Sequence, residues 1–179
     1  MKRYISVFLL NIICFVLQTT IFQKIQLANV GPNFLVIITA VSGFMYGRKL
    51  GMFSGVLGGL LMDTMYSGII GVDILIYAFV GYLNGMANKL YFKEDIYIPL
   101  VSIAISDFLY GLMYYMFRFL LRGRLDLPYY VLHVMIPEMI YTMLVGVLVY
   151  LFMRWLEEKM NPEEEVALAE RAEKEKGIR

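Results

Sequence analysis

Charged residues are scarce in this sequence, and their scarcity excludes a soluble globular domain. Only 17% of the 179 residues are charged, whereas 60% are hydrophobic and the mean hydropathy is +0.66. A soluble domain typically has about 25% charged and about 45–50% apolar residues. Much of the charge lies at positions 157–179, so the rest of the chain is depleted further. We therefore predict a polytopic membrane domain over residues 1–156 and a charged cytoplasmic tail over 157–179.

Cysteine pairs and the common catalytic motifs are also missing. Cys14 is the only cysteine, so no internal disulfide can form. The sequence has no HExxH, no GxSxG and no Walker phosphate loop. The net charge of +1 gives no overall field that favours nucleic acid. We expect a protein that is not an enzyme, holds no metal or cofactor and does not bind nucleic acid.

Long hydrophobic runs are what the sequence does have. A helix needs about 20 residues to cross about 30 Å of hydrocarbon, and six runs approach or reach that length. The second and third runs are short, so they form either a tight hairpin or an incomplete crossing. We predict an all-α bundle of six transmembrane helices at 4–22, 33–47, 50–66, 69–88, 97–117 and 129–153.

Cations near the helix ends set the expected orientation, because Lys and Arg favour the cytoplasmic side. With the amino terminus inside, eight cations lie at cytoplasmic ends and four at external ends, which predicts that both termini are cytoplasmic. A bacterial inner membrane is the natural setting for such a protein. The eight are Lys2, Arg3, Arg48, Lys49, Lys89, Lys93, Arg154 and Lys159, and the four are Lys24, Arg118, Arg122 and Arg124.

The tail that begins at Asn161 differs in composition from the rest of the chain. Asn161 can cap a helix, Pro162 suits the first helical position, and Glu163–Glu165 favour a helix N-terminus. We expect a short cytoplasmic helix, which is either solvated or docked on a cytoplasmic partner.

Glycines recur every four residues in the third span, and the fourth span has a similar pair. A spacing of four places residues along one stripe of a helix. Each interior Gly costs about 1 kcal/mol relative to Ala in water, but in lipid small residues let two backbones approach closely. This stripe packs either on the fourth span or on a partner's single helix. The predicted helix-packing residues are Gly51, Gly55, Gly59, Gly81 and Gly85.

Four acids lie within or at the ends of the predicted spans. An ionised group at mid-bilayer costs about 2.5–3.5 kcal/mol, so each acid needs a polar contact or a wet cavity. Asp63 and Asp73 lie near the external side, where we expect them to cap helix ends and to pin the external turn. Asp107 lies near the middle of the fifth span, too far from Arg118 to pair with it directly.

The fourth acid, Glu138, follows Pro137 in the last span. Proline has no N–H, so the carbonyl of His133 loses its usual partner and a kink is predicted at Pro137. This break lines a cavity or a groove for a partner's helix, or else Glu138 is protonated and bonded to a neighbouring helix. Proton chemistry by Asp107 with Glu138 is conceivable, but nothing in the spacing singles it out.

Several short motifs between residues 31 and 85 follow one another in a recognisable order. They are Gly31–Val36, Gly47-Arg48, Gly51–Asp63, Gly68 with Gly71, and Gly81–Gly85. The block Gly-x-x-x-Gly-x-x-Gly-Gly-Leu-Leu-x-Asp is the most specific of them. This order, the length and the six-span hydropathy resemble the MreD family of bacterial rod shape-determining proteins.

The resemblance implies a non-enzymatic scaffold subunit of the cell-elongation machinery. MreD proteins associate with the bitopic protein MreC in contact with membrane lipid. Both work with the MreB filament and with the complex of RodA and a class B penicillin-binding protein, in peptidoglycan synthesis and rod cell shape. The groove near Glu138 and Pro137 is then expected to receive the transmembrane helix of an MreC-like partner.

A second function is implied by the same resemblance. The six-helix fold is thought to be similar to that of the substrate-binding subunits of energy-coupling-factor vitamin transporters. Those subunits typically have an Ala-x-x-x-Ala patch on the first helix for docking the coupling partner. Residues 4–22 contain no Ala and no Gly. Their absence favours the scaffold over the transporter subunit.

Overall fold

The computed structural model describes residues 2–21, 30–66, 70–90, 96–118 and 127–160. Six helices and no strand occur in these ranges, and three helices (Lys2–Thr20, Tyr97–Arg118 and Leu127–Lys159) are long and apolar enough to cross a membrane. The predicted all-α membrane bundle is therefore confirmed. The helices are α1 (Lys2–Thr20), α2 (Phe34–Tyr46), α3 (Arg48–Tyr66), α4 (Val72–Met86, followed by the 3-10 turn Ala87–Leu90), α5 (Tyr97–Arg118) and α6 (Leu127–Tyr130, the π turn Val131–Met135 and Ile136–Met160).

Each predicted span overlaps one observed helix, with differences at the ends. The last helix continues to Met160 instead of ending at 153, so it also passes through the predicted domain boundary at 156. That boundary stays a prediction. The tail helix expected from Asn161 lies outside the described residues, as do Gly68, Lys24, Lys93, Arg122 and Arg124.

Helix α2 forms the axis of the bundle. It contacts each of the other five helices, and every residue from Phe34 to Met45 is buried. A helix that is apolar all round is expected in such a position, because it has no face to offer to water. At 1.5 Å per residue its 13 residues span about 20 Å, less than the hydrocarbon layer. Because its residues are also buried, α2 is surrounded by the other helices rather than by lipid.

The turn between α2 and α3 is as short as a helix connection can be. Gly47 alone separates the two helices, with φ at +86°, a conformation that side chains other than glycine rarely adopt. Asn88, after α4, donates from Nδ2 to the carbonyls of Phe44 and Met45 at 2.7 and 3.1 Å. The free end of α2 is thus capped by a residue from another helix. Spans two and three therefore form a tight hairpin, and an incomplete crossing of the membrane stays a prediction.

Side-chain hydrogen bonds join the helices around α2 to one another. Asn11 Nδ2 of α1 donates to Ser54 Oγ of α3 at 2.9 Å. Asn84 Nδ2 of α4 donates to Ser106 Oγ of α5 at 2.7 Å, and Ser102 donates to Asn84. In a membrane no water competes for these groups, so such bonds stabilise helix contacts that hydrophobic burial cannot drive.

The two ends of the described chain meet through an ion pair. Arg3 of α1 donates to Glu157 of α6 at 2.7 Å, and its guanidinium lies 5.5 Å from the ring centre of Tyr46 in α2. Three helix ends are therefore held together on the side of the bundle where the α2–α3 turn lies.

Candidate functional site

The glycine stripe of α3 lies directly against the backbone of α4. A Cβ atom added to Gly51, Gly55 or Gly59 would come within 3.0 Å of α4 backbone atoms, at Gly81, Tyr77 and Asp73–Ile74 respectively. Real Cβ atoms essentially never come this close to another heavy atom. The two helices therefore touch through their main chains, and any side chain larger than hydrogen would separate them.

The glycines of α4 complete the same contact from the other side. A Cβ atom on Gly81 would meet the carbonyl of Gly51, and one on Gly85 would meet the backbone of Arg48. All five predicted packing glycines thus lie at the α3–α4 interface. Since α4 fills this interface, the structure has the intramolecular contact, and the alternative of a partner's helix at the stripe has no space.

One further glycine of this cluster was missed by the sequence analysis. Gly43 of α2 faces α4, where an added Cβ atom would lie 2.6 Å from the carbonyl oxygen of Gly81. The small pair Ser42-Gly43, in an otherwise bulky span, was the available signal. Three helices, α2, α3 and α4, therefore meet at Gly81.

Asp63 closes the end of α4 from the last turns of α3. Its carboxylate accepts from three backbone N–H groups: Gly71 at 2.7 Å, Asp73 at 3.2 Å and Ile74 at 3.1 Å. Gly71 occupies the N-cap position of α4 and has no side chain to accept these donors. Asp63 supplies the acceptor in its place, and its negative charge is favourable at a helix N-terminus.

Asp73 links α4 to the end of α5. Arg118 donates to its carboxylate at 3.0 Å, and the guanidinium lies 4.8 Å from the ring centre of Tyr114. Asp73 is almost fully buried, so the pair is largely shielded from solvent. The sequence analysis separated Arg118 from Asp107 but did not find Asp73 as its partner, because the two are 45 positions apart.

Asp107 lies in a polar layer between α5, α6 and the start of α2. The side chain is 3% exposed and is hydrogen-bonded to Thr142 of α6. Thr142 Oγ1 also accepts from the backbone N–H of Asn33 at 3.1 Å, and Tyr77 donates to Asn33 Oδ1 at 3.0 Å. The layer therefore joins α2, α4, α5 and α6 through side chains.

Glu138 reaches the same layer, close enough to interact electrostatically with Asp107. The side chains of α5 and α6 pack on glycines of the other helix on both sides of these acids. Ile103 of α5 contacts Gly146 of α6, and Met135 of α6 contacts Gly111 of α5. The structure thus brings Asp107 and Glu138 together, although their spacing gave no reason to pair them. Within the described residues, no group of three or more His, Cys, Asp or Glu could hold a metal ion.

The break predicted at Pro137 takes the form of a π turn just before it. Residues Val131–Met135 form this turn, and the N–H of Ile136 bonds to the carbonyl of Val131. A π turn inserts one extra residue into a helix, which changes the direction of the helix and rotates the residues after the turn. Pro137 then lies in the first turn of the α-helical segment that begins at Ile136. His133 stacks on the ring of Tyr129 at 4.2 Å and is exposed.

The comparisons with known proteins give one match. A family model described as rod shape-determining protein MreD matches residues 1–160. The match extends well beyond the motifs between residues 31 and 85. No curated protein and no solved structure matches the chain.

Adding a methyl group to the α3–α4 interface should destabilise the protein. We expect Gly55→Ala to lower the free energy of unfolding by about 2 kcal/mol or more, because the new Cβ meets backbone of Tyr77 that cannot move without separating the helices. The measurement is the thermal midpoint of the purified protein in detergent.

Gly58→Ala is the matched control for that measurement. Its added Cβ would lie 3.3 Å from Asn11 Oδ1 and 3.5 Å from Leu35 Cδ2, which are side-chain atoms that can shift. A gain in helix propensity of up to about 1 kcal/mol offsets the tighter contact, so the change should stay within about 1 kcal/mol. Equal losses in the two variants would contradict the backbone contact.

Removing the Asp63 carboxylate should loosen the start of α4. Asp63→Ala leaves three N–H groups without their acceptor, which should cost about 2–3 kcal/mol. Hydrogen exchange should speed up at the amides of Gly71, Asp73 and Ile74. Thr64→Ala is the control, because Thr64 is exposed and bonds only to carbonyls of its own helix. Unchanged exchange in Asp63→Ala would show that the cap is not needed.

Proposed function

Since the chain belongs to the MreD family of rod shape-determining proteins, as its motifs indicated, we propose that it is a non-enzymatic scaffold subunit of the cell-elongation machinery. The family gives a role in determining rod shape, and the apolar helices make it an integral membrane protein. The scaffold binds an MreC-like bitopic partner and supports peptidoglycan synthesis by RodA and a class B penicillin-binding protein. The MreB filament is coupled to it indirectly.

The main support from the structure is how the polar groups in the membrane domain are used. Asp63 caps α4, Asp73 pairs with Arg118, and Asn84 bonds to serines of α5. Each of these contacts joins one helix of the chain to another. Together with the backbone contact of α3 and α4, they make a rigid body, which suits a subunit that orients partners.

We assign the contact with the bitopic partner to the outer face of α6. Ile140, Leu144 and Leu148 recur every four residues there and are all exposed, whereas Glu138, two residues before Ile140, interacts with the buried Asp107 on the inner side of the helix. A single transmembrane helix can pack along such a stripe. The glycine interface is closed by α4, so the partner needs another face.

Both termini are assigned to the cytoplasm, on the count of eight cations against four. The described cations of the cytoplasmic group lie at one end of the bundle, where α1 begins, the α2–α3 turn lies and α6 ends. In this orientation the tail from residue 157 is available to cytoplasmic components.

Co-purification with an MreC-like partner tests the scaffold and its contact face. In the double variant Leu144→Ala/Leu148→Ala, two side chains of the stripe are truncated, so recovery of the partner should fall about tenfold. The variant's own thermal midpoint should stay close to that of the unaltered protein, since both residues are exposed.

The matched control is Leu9→Ala/Ile13→Ala on α1, which has the same spacing and similar exposure. It should keep the partner. Loss of the partner in both double variants, or in neither, would exclude the α6 face. Failure of the unaltered chain to co-purify with any MreC-like protein would overturn the scaffold. Thermal stabilisation by a vitamin-like ligand would favour the transporter subunit instead.

A further inference from the structure

Three cations lie together where α3 begins and α4 ends. Arg48 and Lys49 are the first residues of α3, and Lys89 lies in the 3-10 turn after α4. The helix ends touch here, since a Cβ atom on Gly85 would come within 3.0 Å of the Arg48 backbone. Asn88 lies within 4 Å of where a Gly47 side chain would begin. The three cations therefore share one edge of the bundle.

The positive charge of this edge is not neutralised by the described part of the chain. All three side chains are exposed, and no described acid forms an ion pair with them. Among the described residues, two acids at this end of the bundle are paired with other cations, Glu157 with Arg3 at 2.7 Å and Glu158 with Arg154 at 3.2 Å. A group of exposed cations at the membrane surface attracts anions.

Arg48 is held in a defined position by an aromatic ring. Its guanidinium lies 5.6 Å from the ring centre of Tyr82, an exposed residue of α4. Such a cation–π contact fixes the guanidinium while leaving donors at its edge for a phosphate. Tyrosine is also typical of the boundary between hydrocarbon and headgroups.

The surface next to this edge, towards the interior of the membrane, is apolar. Met52 and Val56 of α3 and Phe79 of α4 are exposed. Met52 and Val56 follow Arg48 by four and eight residues and Phe79 precedes Tyr82 by three, so they share the face of the hairpin that carries the Arg48–Tyr82 contact. The closed glycine interface leaves no opening between the two helices. A molecule bound here therefore lies on the outer surface, with its anionic part at the cations and its apolar part along these side chains.

We propose that this edge is a binding site for an anionic phospholipid. Arg48, Lys49 and Lys89 contact the phosphate, Tyr82 marks the interface, and the acyl chains lie along Met52, Val56 and Phe79. The charge of the edge selects an anionic headgroup, and the adjoining apolar surface selects a lipid over a soluble anion. The bound lipid fixes the depth of the α3–α4 hairpin in the bilayer, a role separate from the partner contact on α6.

The test uses the full chain in vesicles or nanodiscs of phosphatidylcholine with a small fraction of phosphatidylglycerol. Native mass spectrometry should show phosphatidylglycerol retained in preference to phosphatidylcholine. In Lys49→Gln/Lys89→Gln this retention should fall about tenfold or more, given the attraction of each cation to an anionic lipid. The thermal midpoint in pure phosphatidylcholine checks that the variant is folded.

The control variant is Lys2→Gln/Lys159→Gln, which removes the same charge at the same end of the bundle. Lys2 and Lys159 belong to the ends of α1 and α6 rather than to the three-cation edge, and Lys159 lies 5.1 Å from the ring centre of Trp155. Retention within about twofold of the unaltered protein is expected. Equal losses in the two variants would show a general attraction of the lipid to the protein surface. If the unaltered protein showed no preference for phosphatidylglycerol over phosphatidylcholine, the proposed site would be wrong. Soluble glycerol phosphate that displaces the lipid at similar concentration would show an anion site and overturn the lipid assignment.

Discussion

The contact between the backbones of α3 and α4 is the constraint on which the rest of the structure depends. It exists because a glycine occurs on at least one side of each close approach of the two main chains. In lipid there is no hydrophobic drive between helices, so van der Waals packing and hydrogen bonds hold them together, and glycine allows the main chains to pack closely. Gly43 brings α2 into the same contact. The resulting three-helix core positions α5, α6 and α1 around it.

Polar residues then decide how the remaining helices attach. A donor or acceptor in hydrocarbon costs several kcal/mol if it lacks a partner, so each polar side chain favours one arrangement of its neighbours. Asp63 fixes the start of α4, Asp73 fixes the end of α5 through Arg118, and Asn11 fixes α1 on Ser54. The layer around Asp107 and Thr142 does the same for α6.

This arrangement of the glycine and polar contacts fits the scaffold role that we propose for this member of the MreD family. The core is closed by its own helices, and the outer faces are left for lipid and for other proteins. On this view the α6 stripe and the cationic edge of the α3–α4 hairpin are independent surfaces on one rigid body. Asp107 and Glu138 differ from the other acids, since they interact electrostatically with each other and neither caps a described helix end nor pairs with a described cation.

The sequence by itself determined the membrane class, and it predicted the helices of the described residues and five glycines that lie at the α3–α4 interface, because composition and a spacing of four are local properties that lipid constrains strongly. The order of the motifs between residues 31 and 85 also indicated the family. Only the tertiary structure decided that the glycine stripe meets α4 rather than a partner, that Asp63 caps another helix and that Arg118 pairs with Asp73. It likewise revealed the π turn that precedes Pro137. These features depend on distances between residues that are far apart in the chain, and no local pattern encodes such distances.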